Sequence, residues 1–357
     1  MDILEIKTPR GLRKIGPGYP VFIIAEMSGN HNQSLDKALK IIDAAAQAGV
    51  DAIKLQTYTA DTMTIDCSNQ YFQVNVNPAW QGQTLYSLYQ KAYTPWAWQK
   101  QLKAYGESLG LLVFSTPFDE TAVDFLESLD VALYKIASFE TGDIELLKKV
   151  GQTKKPVIIS RGLTTAEDLS EAIKVLRLAG TPQLAVLHCV SSYPATADQM
   201  NLATIPDLTN RFNVVAGLSD HSLDKLGLVV PLTAVALGAS IIEKHFCLSR
   251  IDGGPDAAFS LEPIELKQLV DSIREAEKAI GQATYAVGDK EAENILFRRS
   301  IFTIKDIKKG EVLTRENIRV IRPGYGLAPK LLPKILGKKA SQDLPLGTPL
   351  AENLILD

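Results

Sequence analysis

Eight apolar, strand-like runs alternate with helix-like segments through the first part of this chain, a pattern that calls for parallel strands joined by crossover helices. The runs are residues 21–27, 52–57, 111–117, 132–138, 156–160, 184–190, 214–220 and 241–246. Helical patterns follow at 34–48, 121–128, 165–179, 226–239 and 263–280, and the sixth connection, around 202–210, is the weakest of them. Eight such units are the count of a (β/α)8 TIM barrel. A doubly wound sheet is the alternative, but no GxGxxG loop accompanies the strands, so closure is favoured.

In such a barrel the chemistry sits at the C-terminal ends of the strands. Polar residues collect there. The first run ends at Glu26 and leads through Asn30 and His31 to Asn32; the second holds Lys54 and Gln56 on one face. The third reaches Thr116, and the fourth carries Lys135 and leads to Ser138. The fifth ends at Ser160 and Arg161. The sixth holds His188 and ends at Ser191, Ser192 and Tyr193. The last two supply Ser219, Asp220, His221, Glu243, Lys244 and His245. One buried charge is commonly a paired structural residue. So many polar strand ends point instead to a site, because each charge costs several kcal/mol unless paired or bound.

The chain has four histidines, and His221 and His245 lie 24 residues apart at the ends of consecutive strands. Adjacent strands are roughly 4.8 Å apart, so both imidazoles can reach one ion. Two neutral imidazoles in an otherwise open shell suit a divalent ion acting as a Lewis acid. Lys54 and Lys135 with the hydroxyls of Thr116, Ser138 and Ser219 suit a phosphate or carboxylate. Glu26 is a candidate acid, base or hydroxyl anchor. His31, in an amide-rich loop, reads as a substrate contact. His188, in mid-strand, reads equally well as a core histidine. Cys247 lies two residues beyond His245 but is not counted as a ligand.

Residues 1–20 read as a lead-in with turn signals at Gly16-Pro17-Gly18 and Pro20. The long second connection, 58–93, reads as a lid or substrate wall. After Gly281 the pattern changes. We expect the barrel to occupy 1–285, a linker 286–296, and a small β-rich domain 297–357 that leans on the barrel or on a partner subunit. A net charge of −3 and a pI of about 5.9 leave no nucleic-acid footprint. No uncharged run approaches the ~20 residues of a membrane span. With no signal-peptide pattern and only three cysteines, the expected setting is soluble and cytoplasmic.

The motifs, in order, resemble those of the sialic acid synthase family. They are Ile24-Ala25-Glu26 with Asn30-His31-Asn32, Lys54-Leu55-Gln56-Thr57, Ser115-Thr116-Pro117-Phe118, Tyr134-Lys135-Ile136, Gly217-Leu218-Ser219-Asp220-His221 and Lys244-His245-Phe246. Arg298-Arg299-Ser300, Asp306–Glu311 and Arg322-Pro323-Gly324-Tyr325-Gly326 resemble the family's antifreeze-like (SAF, β-clip) domain. Three stretches resemble the pseudaminic acid synthase branch: Glu26–Asn32, Ser160-Arg161-Gly162-Leu163 and Gly253–Pro263.

The resemblance implies condensation of phosphoenolpyruvate with an acetamido sugar, here 2,4-diacetamido-2,4,6-trideoxy-L-altrose, to give pseudaminate. It implies that His221 and His245 bind Mn or Mg. Phosphoenolpyruvate would be held by Lys54, Thr116, Lys135, Ser138 and Ser219. Ser191 stands where sialic acid synthases usually carry an Asn in that role. Glu26 would orient the reacting groups. His31, Gln56 and Tyr193 would meet the sugar, Asp256 would lie near the sugar or behind the metal's ligands, and Arg322 would reach the sugar from the other subunit of a domain-swapped homodimer. The rivals are a synthase for N-acetylneuraminate or legionaminate, a Schiff-base aldolase using Lys54 or Lys135, and a non-enzymatic carbohydrate- or ice-binding protein.

Overall fold

A computed structural model describes residues 3–75, 80–223 and 227–356. It divides into two compact units, Met1–Gly281 and Gln282–Asp357. The first opens with an antiparallel hairpin, β1 (Leu4–Thr8) and β2 (Gly11–Ile15), where the sequence reading had only a lead-in. Leu4, Ile6 and Ile15 are its buried residues, and they join the barrel's interior core. Glu5 N–H also donates to Gln183 Oε1 at 2.7 Å, which ties the hairpin to the barrel. Only β1 alternates in burial, and a basic sequence with turn residues on either side hid the pair.

Eight parallel strands follow and close into a barrel: β3 (Phe22–Glu26), β4 (Ala52–Thr57), β5 (Leu112–Pro117), β6 (Tyr134–Ile136), β7 (Val157–Arg161), β8 (Leu184–Cys189), β9 (Val215–Asp220) and β10 (Ile241–His245), with β10 pairing back onto β3. Helices α1 (Leu35–Ala48), α2 (Ala60–Met63), α3 (Leu85–Ala92), α4 (Trp96–Ser108), α5 (Glu120–Ser128), α6 (Ile144–Gln152), α7 (Ala166–Ala179), α8 (Thr204–Phe212), α9 (Val229–Ala236) and α10 (Pro263–Ile280) connect or follow them. Side-chain caps set several starts: Ser34 accepts from Lys37 N–H, Asp143 from Leu146 N–H, and Thr165 shares a capping box with Asp168. The weak sixth helix forms two residues later than expected. The reading from 226 begins outside the described residues, and its helix runs from Val229.

Period-two alternation sorts each strand. Ile23, Ala25, Ile53, Val113, Ile159 and Leu218 face outward and pack in the core shared with the helices. Phe22, Ile24, Ala52, Leu112, Phe114, Leu133, Ile158, Leu187, Val215 and Ile241 fill the barrel. Gly217 belongs to the crowded inner face: a Cβ there would come within 2.7 Å of Leu187 Cδ2 and 2.5 Å of the Ile241 carbonyl oxygen. One step further toward the C-terminal ends, the inner face turns polar.

The second unit has its own core of Ile301, Ile307, Leu313, Ile318, Ile335, Ala340, Leu344 and Leu350. Two short antiparallel pairs organise it: β11 (Ser300–Thr303) with β12 (Ile318–Ile321), and β13 (Lys339–Ala340) with β14 (Ile355–Leu356). The expected linker holds a short helix, α11 (Asp289–Ala292), and a 3-10 turn, Glu293–Phe297. Among the described residues no helix is long and apolar enough to cross a membrane.

Candidate active site

The polar inner layer consists of Glu26, Lys54, Thr116, Lys135, Ser160, Cys189, Ser219 and Glu243, all buried. Each lies two residues beyond an inward residue, apolar in seven cases and Gly217 before Ser219, so the alternation that fills the barrel also aims this ring at its mouth. Lys54 Nζ is 2.6 Å from Glu26 Oε2 and donates to Thr116 Oγ1 at 3.3 Å. Glu26 Oε1 accepts from Gln56 Nε2 and from Ser28 N–H. Glu243 Oε1 stands between the two lysines, 3.6 Å from Lys54 Nζ and 3.7 Å from Lys135 Nζ, and accepts from Ser219 Oγ. Lys135 donates to Ser160 Oγ at 2.7 Å.

Charges this close and this buried move one another's protons. Burial pushes the Glu26 carboxyl up, and Lys54 pulls it only part of the way back, to about 7. Burial also lowers Lys135, opposed by Glu243 and assisted by the positive Lys54. At Lys54 the two carboxylates outweigh burial and hold the ammonium charged. The ring is thus a pair of cations with hydroxyl donors and one carboxyl poised near neutrality.

A cavity of about 320 Å³ opens over this layer, a size suited to a small metabolite. Lys54, Gln56, Lys135, Ser138, Tyr193, Ser219, His221, Glu243, His245 and Asp256 line it. Thr116 and Ser191 stand just behind, bonded to Lys54 Nζ and, at 3.0 Å, to Ser138 Oγ. The 58–93 connection supplies a wall through Tyr58, α2, α3 and Trp80, whose indole N–H donates to the Pro255 carbonyl at 2.6 Å. Tyr193 lies with its ring centroid 5.9 Å from Trp80 and 4.4 Å from His221.

The imidazoles of His221 and His245 have centroids 5.2 Å apart. His221 Nδ1 lies 3.0 Å from the Val190 carbonyl, which can only accept; in the neutral ring this assigns the proton to Nδ1 and leaves Nε2 a lone pair. Burial and the charges of His221 and Lys54 hold His245 well below the usual histidine range, hence neutral. His245 Nδ1 makes no hydrogen bond although buried, and Asp256 Oδ2 lies 3.5 Å away. Burial pulls His221 down, but Cys189, the Val190 carbonyl and Asp220 outweigh it and push it up, so His221 would join a cation by giving up its Nε2 proton; with the unsatisfied buried nitrogen of His245, the pair fits a divalent cation. Among the described residues no group of three or more His, Cys, Asp and Glu converges on one point, so such an ion would complete its shell from substrate or water.

His31 needs correcting. It is fully buried, its Nε2 is 3.1 Å from Thr94 Oγ1, its Nδ1 accepts from Gln33 N–H, and it packs edge-on against Trp98. It does not line the cavity, because both ring nitrogens are committed to holding the first loop against α4. His188 faces outward and bonds the Met200 carbonyl, so the core reading holds. Cys247 is buried and faces away, its thiol pushed up to about 12 by burial. Arg322 belongs to the second unit, with its guanidinium 6.0 Å from the Phe297 ring centroid. Sequence reasoning noticed Glu243 only as a polar strand end and passed over Glu140, Tyr58, Trp80 and Tyr89. Glu243 shares the inner face with His245 two residues on, a signal that was available; the wall residues carry none.

A profile of the NeuB family matches residues 41–285, and one of the SAF domain matches 298–356. The chain belongs to the NeuB family. It is 43% identical to pseudaminic acid synthase of Campylobacter jejuni over 93% of this chain and 96% of that one. It is 42% identical to pseudaminic acid synthase of Helicobacter pylori over 93% and 97%. A crystal structure of N-acetylneuraminic acid synthetase from Leptospira borgpetersenii, in complex with citrate, superposes with a TM-score of 0.72 at 34% identity, covering 83% of this chain and 96% of that one. This NeuB-family chain is an enzyme.

Proposed function

We propose that the enzyme is a pseudaminic acid synthase, condensing phosphoenolpyruvate with 2,4-diacetamido-2,4,6-trideoxy-L-altrose and water. The observation carrying this reading is the 43% identity, over nearly the whole of both chains, to a protein named for that activity. The site chemistry supports it. Lys54 and Lys135, with Ser138 and Ser219, suit a ligand carrying both a carboxylate and a phosphate.

C3 of phosphoenolpyruvate bonds to the aldehyde carbon of the open-chain sugar. Hydroxide from water adds at C2, the remaining proton goes to the new alkoxide, and phosphate leaves with cleavage of its C–O bond to C2 as the C2 hydroxyl gives its proton to the phosphate and becomes the keto group. Lys54 and Lys135 balance the anionic charge throughout. Glu26, near neutrality beside Lys54, orients the reacting hydroxyl and water. His221 and His245 would hold Mn or Mg, which when bound supplies Lewis acidity at the aldehyde oxygen. Asp256, Gln56 and Tyr193 would meet the sugar. In this reading Arg322 reaches it from a second copy. Exposed apolar residues Tyr285, Val287, Leu296 and Phe297, in the stretch before the second unit's core, favour a partner that covers them. The three free cysteines suit the cytosol.

The test is phosphate release from phosphoenolpyruvate with Mn, run with the diacetamido sugar and separately with N-acetylmannosamine. Release with the first alone is the expected result. Release with the second alone would make the enzyme an N-acetylneuraminate synthase. Full turnover after exhaustive chelation would remove the metal from the scheme.

A further inference from the structure

The cavity has two unlike sides. Residues brought by the barrel strands are cationic, acidic or hydroxylic. Those brought by the long connection are mainly apolar: Met63 at the end of α2, Val74, and Leu85 and Leu88 of α3, beside the rings of Tyr58, Trp80 and Tyr89. Phe118, just past β5, extends this side and packs edge-on against Tyr58 at 5.1 Å. A site for a hydroxylated sugar alone has no use for such a wall, because each hydroxyl laid against it gives up water without gaining a hydrogen bond.

One group interrupts the wall. Glu140 lines the same cavity, and its Oε2 is buried without a hydrogen-bond partner. A buried oxygen left bare is unfavourable, and a ligand that donates to it removes that cost. Burial raises the carboxyl to about 7, with Lys135 and Lys54 pulling it down and Asp143 pushing it up. Tyr89 of α3 lines the same cavity, and its hydroxyl is raised by burial and then by the Glu140 charge.

We propose that Met63, Val74, Leu85, Leu88 and Phe118, with Glu140 as their acidic anchor, form a distal subsite that selects a sugar whose far end carries methyl groups and one N–H donor in place of hydroxyls. A 6-deoxy sugar with a second acetamido group meets that description: its C6 methyl and acetyl methyl lie on the wall, and its amide N–H donates to Glu140 Oε2. N-acetylmannosamine would set hydroxyls against the same carbons. The inference rests on the proposed reaction for the identity of the near end of the sugar, and it concerns only the far end.

The test measures calorimetric binding of the diacetamido sugar to the full chain with Mn, phosphoenolpyruvate being left out so that no sugar is consumed, alongside steady-state kinetics with both substrates. Met63→Asn and Leu85→Asn should each weaken sugar binding about 10-fold, the scale of losing one or two methyl contacts, while the KM for phosphoenolpyruvate reports whether the site is intact. Glu140→Leu should weaken sugar binding at least as much, and Glu140→Gln, which keeps an acceptor oxygen, should recover most of it. If the parent turns over and these variants bind sugar as tightly as the parent, the subsite is wrong and the reaction stands. If the parent binds the sugar, the variants lose it and no phosphate is released, the subsite stands and the reaction is wrong. A parent that neither binds nor turns over this sugar overturns both.

Discussion

Lys244 Nζ and Asp220 Oδ2 lie 2.7 Å apart, both wholly buried, on register-paired positions of β10 and β9. Each immediately precedes a histidine of the cavity. Lys244 also donates to the Ser222 carbonyl, and Asp220 Oδ1 accepts from Ser222 N–H at 2.8 Å. The pair sits on the outer face of the barrel and fixes both strand ends, so the next residue of each turns inward. Asp220→Asn strands a buried ammonium and should cost about 3–5 kcal/mol in denaturant unfolding. It should also weaken Mn binding about 10- to 100-fold, measured by titration of the chelated protein. Restoring stability with Asp220→Leu plus Lys244→Met, while Mn binding stays weak, would separate the positioning role from the structural one.

His31 is held down to about 4, chiefly by burial and then by Lys37, against an ordinary value of 6.5. The folded state therefore binds fewer protons than the unfolded chain between those values, and stability is lost as pH falls from 6.5 toward 4. The loss at full extent is about 3 kcal/mol, at ~1.4 kcal/mol for each pH unit of difference. Unfolding followed across that window should show the acid limb in the parent and a shallower one in His31→Gln. Equal limbs would mean that His31 does not titrate as its burial requires.

Gly162 closes the back of the anion side. A Cβ there would collide with Ser191 Oγ and come within 2.7 Å of Ser138 Cβ, displacing the hydroxyl pair that borders the cavity. Gly162→Ala should raise the KM for phosphoenolpyruvate about 10-fold, equivalent to ~1.4 kcal/mol of binding, with little change in the KM for sugar. A rise confined to the sugar would place the serines on the wrong substrate.

Lys54→Met and Lys135→Met should each lower kcat/KM about 100- to 1,000-fold, as expected for removing a charge that stabilises the transition state. Borohydride added with pyruvate should leave the parent unmodified by mass. A trapped adduct on either lysine would return the Schiff-base aldolase to favour, since burial does lower Lys135.

The barrel was legible because eight strands repeat one rule: apolar inward residues first, a polar inward residue last. Lys54, Lys135, Ser219 and His245 could be placed on the inner face from that rule alone. His31 could not be placed. It lies in a loop where no period constrains the side chain, and its partners Thr94 and Trp98 are some sixty residues away in sequence. The apolar wall was hidden for a related reason. Met63, Val74, Leu85 and Leu88 lie in a stretch without a sustained period, and they meet only because α2 and α3 fold over the strand ends. Glu140 looked like an ordinary loop acid; only burial reveals it.

The hairpin β1–β2 corks the other end of the barrel, with Leu4, Ile6 and Ile15 packed among the innermost strand residues. A corked barrel has one door. In the proposed reaction both substrates then enter and both products leave past α2, α3 and Trp80, with the anion side deepest. Traffic in that reaction is last in, first out: phosphoenolpyruvate enters before the sugar, and phosphate is the final passenger. Phosphate should then inhibit competitively against phosphoenolpyruvate alone, and a noncompetitive pattern would mean that the door is wider than the hairpin and wall imply.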